Sequence, residues 1–117
     1  MIRGHEASMI PKGLPGAGNI IVLDNGFDGI REESYILEIN PVENQLEWFY
    51  DAGKDFYTRA RGSVQRLANG NTLISEDRNA RVFEVNSDKE KIWEFSGGGK
   101  LIVRAHRYPA GYCPKLP

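Results

Sequence analysis

Gly70-Asn71-Thr72-Leu73-Ile74 restates Gly18-Asn19-Ile20-Ile21-Val22 at an offset of 52 residues. The correspondence continues downstream. Ile36-Leu37-Glu38-Ile39-Asn40 matches Val82-Phe83-Glu84-Val85-Asn86 at 46, and Trp48-Phe49-Tyr50 matches Trp93-Glu94-Phe95 at 45. The offset falls because the first copy carries a longer loop, Gly26 to Ser34, and one extra turn residue. Each copy reads as a strand, a turn, a glutamate-centred apolar strand ending in Asn, a turn, and a Trp-containing strand. Self-similarity at about 40 to 50 residues with several strands per unit marks β-propeller blades or a related array.

Short apolar or alternating runs bounded by turn residues fill the rest of the chain. They are Ile20 to Leu23, Tyr35 to Ile39, Leu46 to Tyr50, Thr72 to Ser75, Arg81 to Val85, Lys91 to Phe95 and Leu101 to Arg104. Asp24-Asn25-Gly26, Asn40-Pro41, Asn69-Gly70 and Asn86-Ser87-Asp88 supply the turns between them. No window carries a helical apolar stripe, and only Asp55 to Arg61 tolerates a helical turn. The sequence therefore predicts an all-β fold: an antiparallel meander of about two propeller-like blades plus a terminal strand. One domain spans 1–117, with repeat 1 over about 5–52, repeat 2 over about 62–97 and the terminal strand within 100–109.

Two blades do not close a ring, so apolar faces and strand edges stay uncovered. Trp48 and Trp93 are expected on those faces as structural residues; packing inside a single two-layer sandwich is the alternative. Covering about 600 Å² per chain contributes on the order of 15 kcal/mol, against association costs of about 4 to 15 kcal/mol. A homo-oligomer through blade faces is the expected state: three chains if a ring is rebuilt, two or four if faces merely pair.

Lys and Arg number 15 against 16 for Asp and Glu, a net charge of -1 that argues against a dedicated nucleic-acid binder. The longest aliphatic run, Ile20-Ile21-Val22-Leu23, is far too short for a membrane helix. Met1 to Glu6 has no apolar core of a secretory signal, so a cytoplasmic protein is expected. One cysteine, Cys113, excludes an intrachain disulfide, and with only His5 and His106 as imidazoles no metal site or cofactor is expected.

His5 precedes the strand-like Ala7-Ser8-Met9-Ile10 and a turn rich in Pro and Gly, Pro11 to Gly18. An imidazole there can attack a sulfuryl or phosphoryl centre, although a histidine near a terminus is commonly just solvated. Alternation places Arg104, His106 and Tyr108 on one face, where Arg104 can grip an oxyanion; a solvated edge strand explains the same run. Asp24 to Gly29 has the oxygen-rich look of a calcium loop without its spacing, and a hairpin turn accounts for it. Gly97-Gly98-Gly99-Lys100 lacks phosphate-loop spacing and reads as a flexible connection. Arg59, Arg61 and Arg66 form a basic cluster expected to be solvated.

The run His5 to Gly26 resembles the arylsulfotransferase family, the bacterial aryl-sulfate sulfotransferases. So do Tyr35-Ile36-Leu37-Glu38-Ile39-Asn40-Pro41, Asp55-Phe56-Tyr57, Ser63 to Ile74, and the closing Val103-Arg104-Ala105-His106-Arg107-Tyr108-Pro109. The resemblance spans nearly the whole chain, and corresponds to the C-terminal part of a longer family member. It implies a six-bladed propeller whose funnel transfers a sulfuryl group between phenols through a sulfohistidine. His5 matches the nucleophile and Arg104 an arginine near the funnel; no role is carried onto His106. The family's other histidines and its sulfate-binding arginine match nothing in this chain. The expectation is thus a homo-oligomeric module binding a small phenolic or sulfate-like ligand or a protein, with at most vestigial activity. Sulfuryl transfer at His5 in an assembled ring is the alternative.

Overall fold

The computed structural model describes residues 4–77, 79–98, 102 and 104–108. Four strands, β1 (Gly4–Met9), β2 (Ile20–Asp24), β3 (Tyr35–Asn40) and β4 (Gln45–Tyr50), form one antiparallel sheet in the order β1-β2-β3-β4. A single 3₁₀ turn, Gly53–Asp55, leads into β5 (Ser63–Arg66), β6 (Thr72–Glu76), β7 (Arg81–Val85) and β8 (Lys91–Ser96), a second sheet ordered β5-β6-β7-β8. The repeat offsets are reproduced residue by residue: Ile20 pairs Ile39 as Thr72 pairs Val85, and Glu38 pairs Trp48 as Glu84 pairs Trp93.

Successive side chains of a strand point to opposite faces, so each sheet has two distinct faces. In the first sheet Ile21, Leu23, Ile36 and Tyr50 share one face, here called trailing. It buries against Val64, Ile74, Phe83 and Val85 on the opposite, leading face of the second sheet. Tyr50, Phe56 and Phe83 close this junction, with ring centroids 5.7 to 6.0 Å apart in tilted or edge contacts. The two copies therefore stack trailing face onto leading face. A sandwich built from like faces would bury the same positions in both sheets; this one buries opposite ones, as blades do.

The segment between the blades is fastened by buried side chains. Asn25 Nδ2 donates to the carbonyls of Thr58 at 2.6 Å and Arg61 at 3.1 Å. Asp77 accepts from the backbone N–H groups of Ala60 at 3.0 Å and Arg61 at 2.9 Å.

Three sequence expectations change. The helical turn sits at Gly53–Asp55, slightly before the predicted Asp55 to Arg61. Ser63–Arg66, which no periodicity marked, is the strand β5, and Arg66 is buried rather than solvated. Of the predicted terminal strand, Ile102 and Arg104 carry no strand structure, while Leu101 and Val103 lie outside the described residues. Residues 104–108 lie against β5 through its Ser63 and Gln65 side chains rather than through a backbone ladder. Gly99 and Lys100 of the glycine connection also lie outside the described residues.

Candidate functional site

Three inner segments meet along one edge of the two blades: β1, β5 and residues 104–108. β1 is irregular. Its register with β2 shifts between His5 and Ser8, and Glu6 adopts a φ of 55°, a left-handed conformation unusual for glutamate. His5, half-buried, lies opposite Leu23. Leu23 is equivalent to Ser75, whose partner is Ser63, so Ser63 fills the place of His5 in the second blade.

Residues 104–108 are held to β5 by side chains acting as surrogate peptide groups. Ser63 Oγ receives the Ala105 N–H at 3.0 Å and donates to its carbonyl at 3.2 Å. The Gln65 amide does the same for Arg107, at 2.8 and 2.9 Å. This fixes Arg104, whose Nη2 meets Glu6 Oε2 at 3.1 Å. The two predicted site residues, His5 and Arg104, are thereby brought to one rim through Glu6, the neighbour of His5. An incoming oxyanion must compete with the Glu6 carboxylate for that guanidinium. His106 and Tyr108 share a face as alternation predicts, their rings stacked at 6.4 Å. His106 also lines a cleft of about 270 Å³ together with Ser8, Met9, Leu14, Gln65 and Arg66.

Behind the rim lies a device that occurs twice. At the junction of the blades, Glu38 accepts from Asn19 Nδ2 at 2.7 Å and pairs with Arg66 Nη2 at 2.6 Å. Arg66 also donates to the Pro15 carbonyl and lies over Trp48, its guanidinium carbon 5.6 Å from the ring centroid. The Pro/Gly turn exists to close over this pair: Gly16, at a φ of 84°, has no room for a side chain against Glu38 and Arg66. In the second blade Glu84 accepts from Asn71 at 2.6 Å and pairs with Arg107, which lies 5.2 Å from the Trp93 ring. Burial alone would raise the Glu84 pKa, but hydrogen bonds from Asn71 and Arg107 and the Arg107 charge outweigh it and hold the carboxyl below its ordinary value. Sequence reading named Trp48, Trp93 and Arg66 without pairing the arginines to Glu38 and Glu84. The signal was present, since a glutamate placed identically inside two apolar strands requires a buried partner.

The Asp24–Gly29 stretch is structural. Asp24 pairs with Arg31 at 2.9 Å and accepts from the Gly26 N–H, the turn contact expected of an Asx residue. Asp28 accepts from the Tyr57 hydroxyl, and burial together with that bond raises the phenol pKa to about 12. Among the described residues no three His, Cys, Asp or Glu side chains gather closely enough to hold a metal, and no helix is long and apolar enough to cross a membrane.

Two four-stranded antiparallel meanders stacked head to tail define a propeller-like protein. The family is reached independently: residues 20–98 match the family model described as Arylsulfotransferase (ASST). The chain belongs to the arylsulfotransferase family. No curated protein and no solved structure gave a match.

Proposed function

We propose that this chain is a homo-oligomeric binding module of the arylsulfotransferase type, with at most vestigial transfer activity. One observation carries the reading. Tyr50 is 7% exposed and Trp48 is partly covered because the second blade lies on them, whereas their equivalents Phe95 and Trp93 are 53% and 45% exposed. A propeller face of that composition is built to be covered. A second copy supplies the covering sheet, and the cleft beside His106 offers a small phenolic or sulfate-like ligand an aliphatic wall from Met9, Ile10 and Leu14 with Gln65, Arg66 and His106 as polar groups. Sedimentation equilibrium at micromolar protein tests it: an oligomer is expected, and a 13.2 kDa species throughout defeats it.

A second reading draws support from the shared rim of His5 and Arg104. An imidazole nitrogen of His5 attacks the sulfur of an aryl sulfate, an N–S bond forms, the S–O bond breaks, and the phenolate leaves to take up a proton. A second phenol then attacks the sulfohistidine, loses its proton, and carries the sulfuryl group away. Arg104 would neutralise charge on the sulfuryl oxygens once freed from Glu6. Turnover with an aryl sulfate and a phenol acceptor that vanishes in His5→Ala is the expected result; no turnover, or turnover surviving the substitution, removes this reading.

A further inference from the structure

The repeated clasp identifies residues 104–108. Arg107 stands to Glu84, Asn71 and Trp93 as Arg66 stands to Glu38, Asn19 and Trp48. Arg66 belongs to β5, the inner strand of the second blade, so Arg107 places residues 104–108 on the trailing face where the inner strand of a third blade would lie. Ala105 and Arg107 direct their backbone groups to Ser63 and Gln65; alternation along an extended segment would turn those of Arg104 and His106 to the opposite edge. In each complete blade that edge pairs with the second strand. Trp93, Phe95 and the edge of 104–108 thus form one docking surface for a three-stranded antiparallel sheet that needs an inner strand.

The first blade of this chain contains such a sheet. Its leading face, with Val22, Leu37 and Phe49, corresponds to the face of the second blade that covers Tyr50, where Ile74 and Phe83 stand. Its own inner strand is irregular. β1 is bulged, carries Glu6 at positive φ, and offers mostly exposed side chains. By register Met9, opposite Ile20, takes the place of Arg66, opposite Thr72, and Met9 is 61% exposed with no clasp to make. Intact β1 docking onto a second copy would evict Arg107 and bring methionine to buried Glu84, leaving that carboxylate without a cation.

We propose that residues 104–108 of one copy replace β1 against β2 of the next, with Arg107 in the register of Met9, so that the β2-β3-β4 sheet of the second copy covers Trp93 and Phe95. The contact is head-to-tail and closes after three copies if the ring holds six blades. The inference rests on the oligomer proposed above.

The full-length chain is compared as wild type, Arg107→Met and Met9→Arg by sedimentation equilibrium, with circular dichroism reporting the fold of each. Strand exchange expects Arg107→Met to weaken association at least about tenfold, and Met9→Arg to leave it unchanged or weaker. A tighter Met9→Arg oligomer overturns the exchange in favour of intact docking. Undiminished association of Arg107→Met also overturns it while leaving the oligomer itself standing. A wild-type monomer throughout overturns both. Amide exchange on the wild type gives a readout independent of any variant's folding. With rising concentration Arg104–Tyr108 should gain protection as β1 loses it, and the reverse pattern refutes the proposal.

Discussion

Replacing Arg66 with methionine tests whether the clasp holds the blades together. Both side chains of the Arg66–Glu38 pair are 7% exposed and their atoms meet at 2.6 Å. Arg66→Met leaves Glu38 with only Asn19, and deprives the Pro15 carbonyl of a donor. Breaking a buried ion pair by removing one partner costs about 3 to 5 kcal/mol. That is a large share of the roughly 5 to 15 kcal/mol that holds a domain folded. The equivalent change, Arg107→Met, should cost less, because Arg107 is 42% exposed and water partly replaces it; about 1 to 2 kcal/mol is expected. Combining Arg66→Met with Glu38→Gln should restore at least about 1 kcal/mol, since no uncompensated charge remains. Urea unfolding at one fixed protein concentration, followed by tryptophan fluorescence, measures all four proteins. The reasoning fails if Arg107→Met is as damaging as Arg66→Met, or if Arg66→Met costs less than about 1 kcal/mol.

The other expectations are narrower. Asn25→Ala strips two carbonyls of the inter-blade segment of their donor and should cost about 1 to 3 kcal/mol, with amide exchange rising around Thr58 to Arg61. Gly16→Ala forces a methyl group to within 2.7 Å of Glu38 Oε2 at a φ of 84° and should lower the melting temperature; an unchanged melting curve contradicts the packing described. Because the Glu84 pKa is depressed in the fold, its contribution is complete above the ordinary carboxyl pKa of 4.5 and is lost as pH falls through the folded value. Acid titration of Arg107→Met should therefore show a shallower loss of stability below that pH than wild type. Tyr57 has the opposite sign: its stabilising contribution is complete below pH 10 and is lost as pH rises through about 12, which Tyr57→Phe should abolish in an alkaline unfolding titration.

Much of this architecture could be read from spacing because period-two alternation and turn chemistry are local. Six strands fall within a residue or two of the runs read from the sequence, and the shrinking offset located the extra loop. β5 escaped because Ser63-Val64-Gln65-Arg66 has one aliphatic residue in four; its burial comes from the first blade, not from its own composition. Arg66 looked like part of a solvated basic cluster for the same reason: its partner Glu38 stands 28 residues away and joins it only when the blades stack. The terminal segment is described only in part, and its residues 104–108 are held through Ser63 and Gln65 side chains, which no pattern within the segment can reveal.

The repeat also separates scaffold from site. Where both copies keep the same residue, the residue builds the blade: Asn19 and Asn71, Glu38 and Glu84, Trp48 and Trp93. Along the inner strand the copies differ: His5 stands where Ser63 does and Met9 where Arg66 does. Among the described residues Met9 has no glutamate to clasp, and Glu6, at a left-handed φ, reaches Arg104. Segments that move or react are drawn from the weakly held parts of a fold. Placing the nucleophile-matching histidine on the bulged inner strand makes site and assembly compete for one element. If 104–108 displaces β1 in the oligomer, His5 leaves its seat opposite Leu23. Transfer and strand exchange are then alternatives, and a chain that oligomerises fully should show the lower turnover per His5.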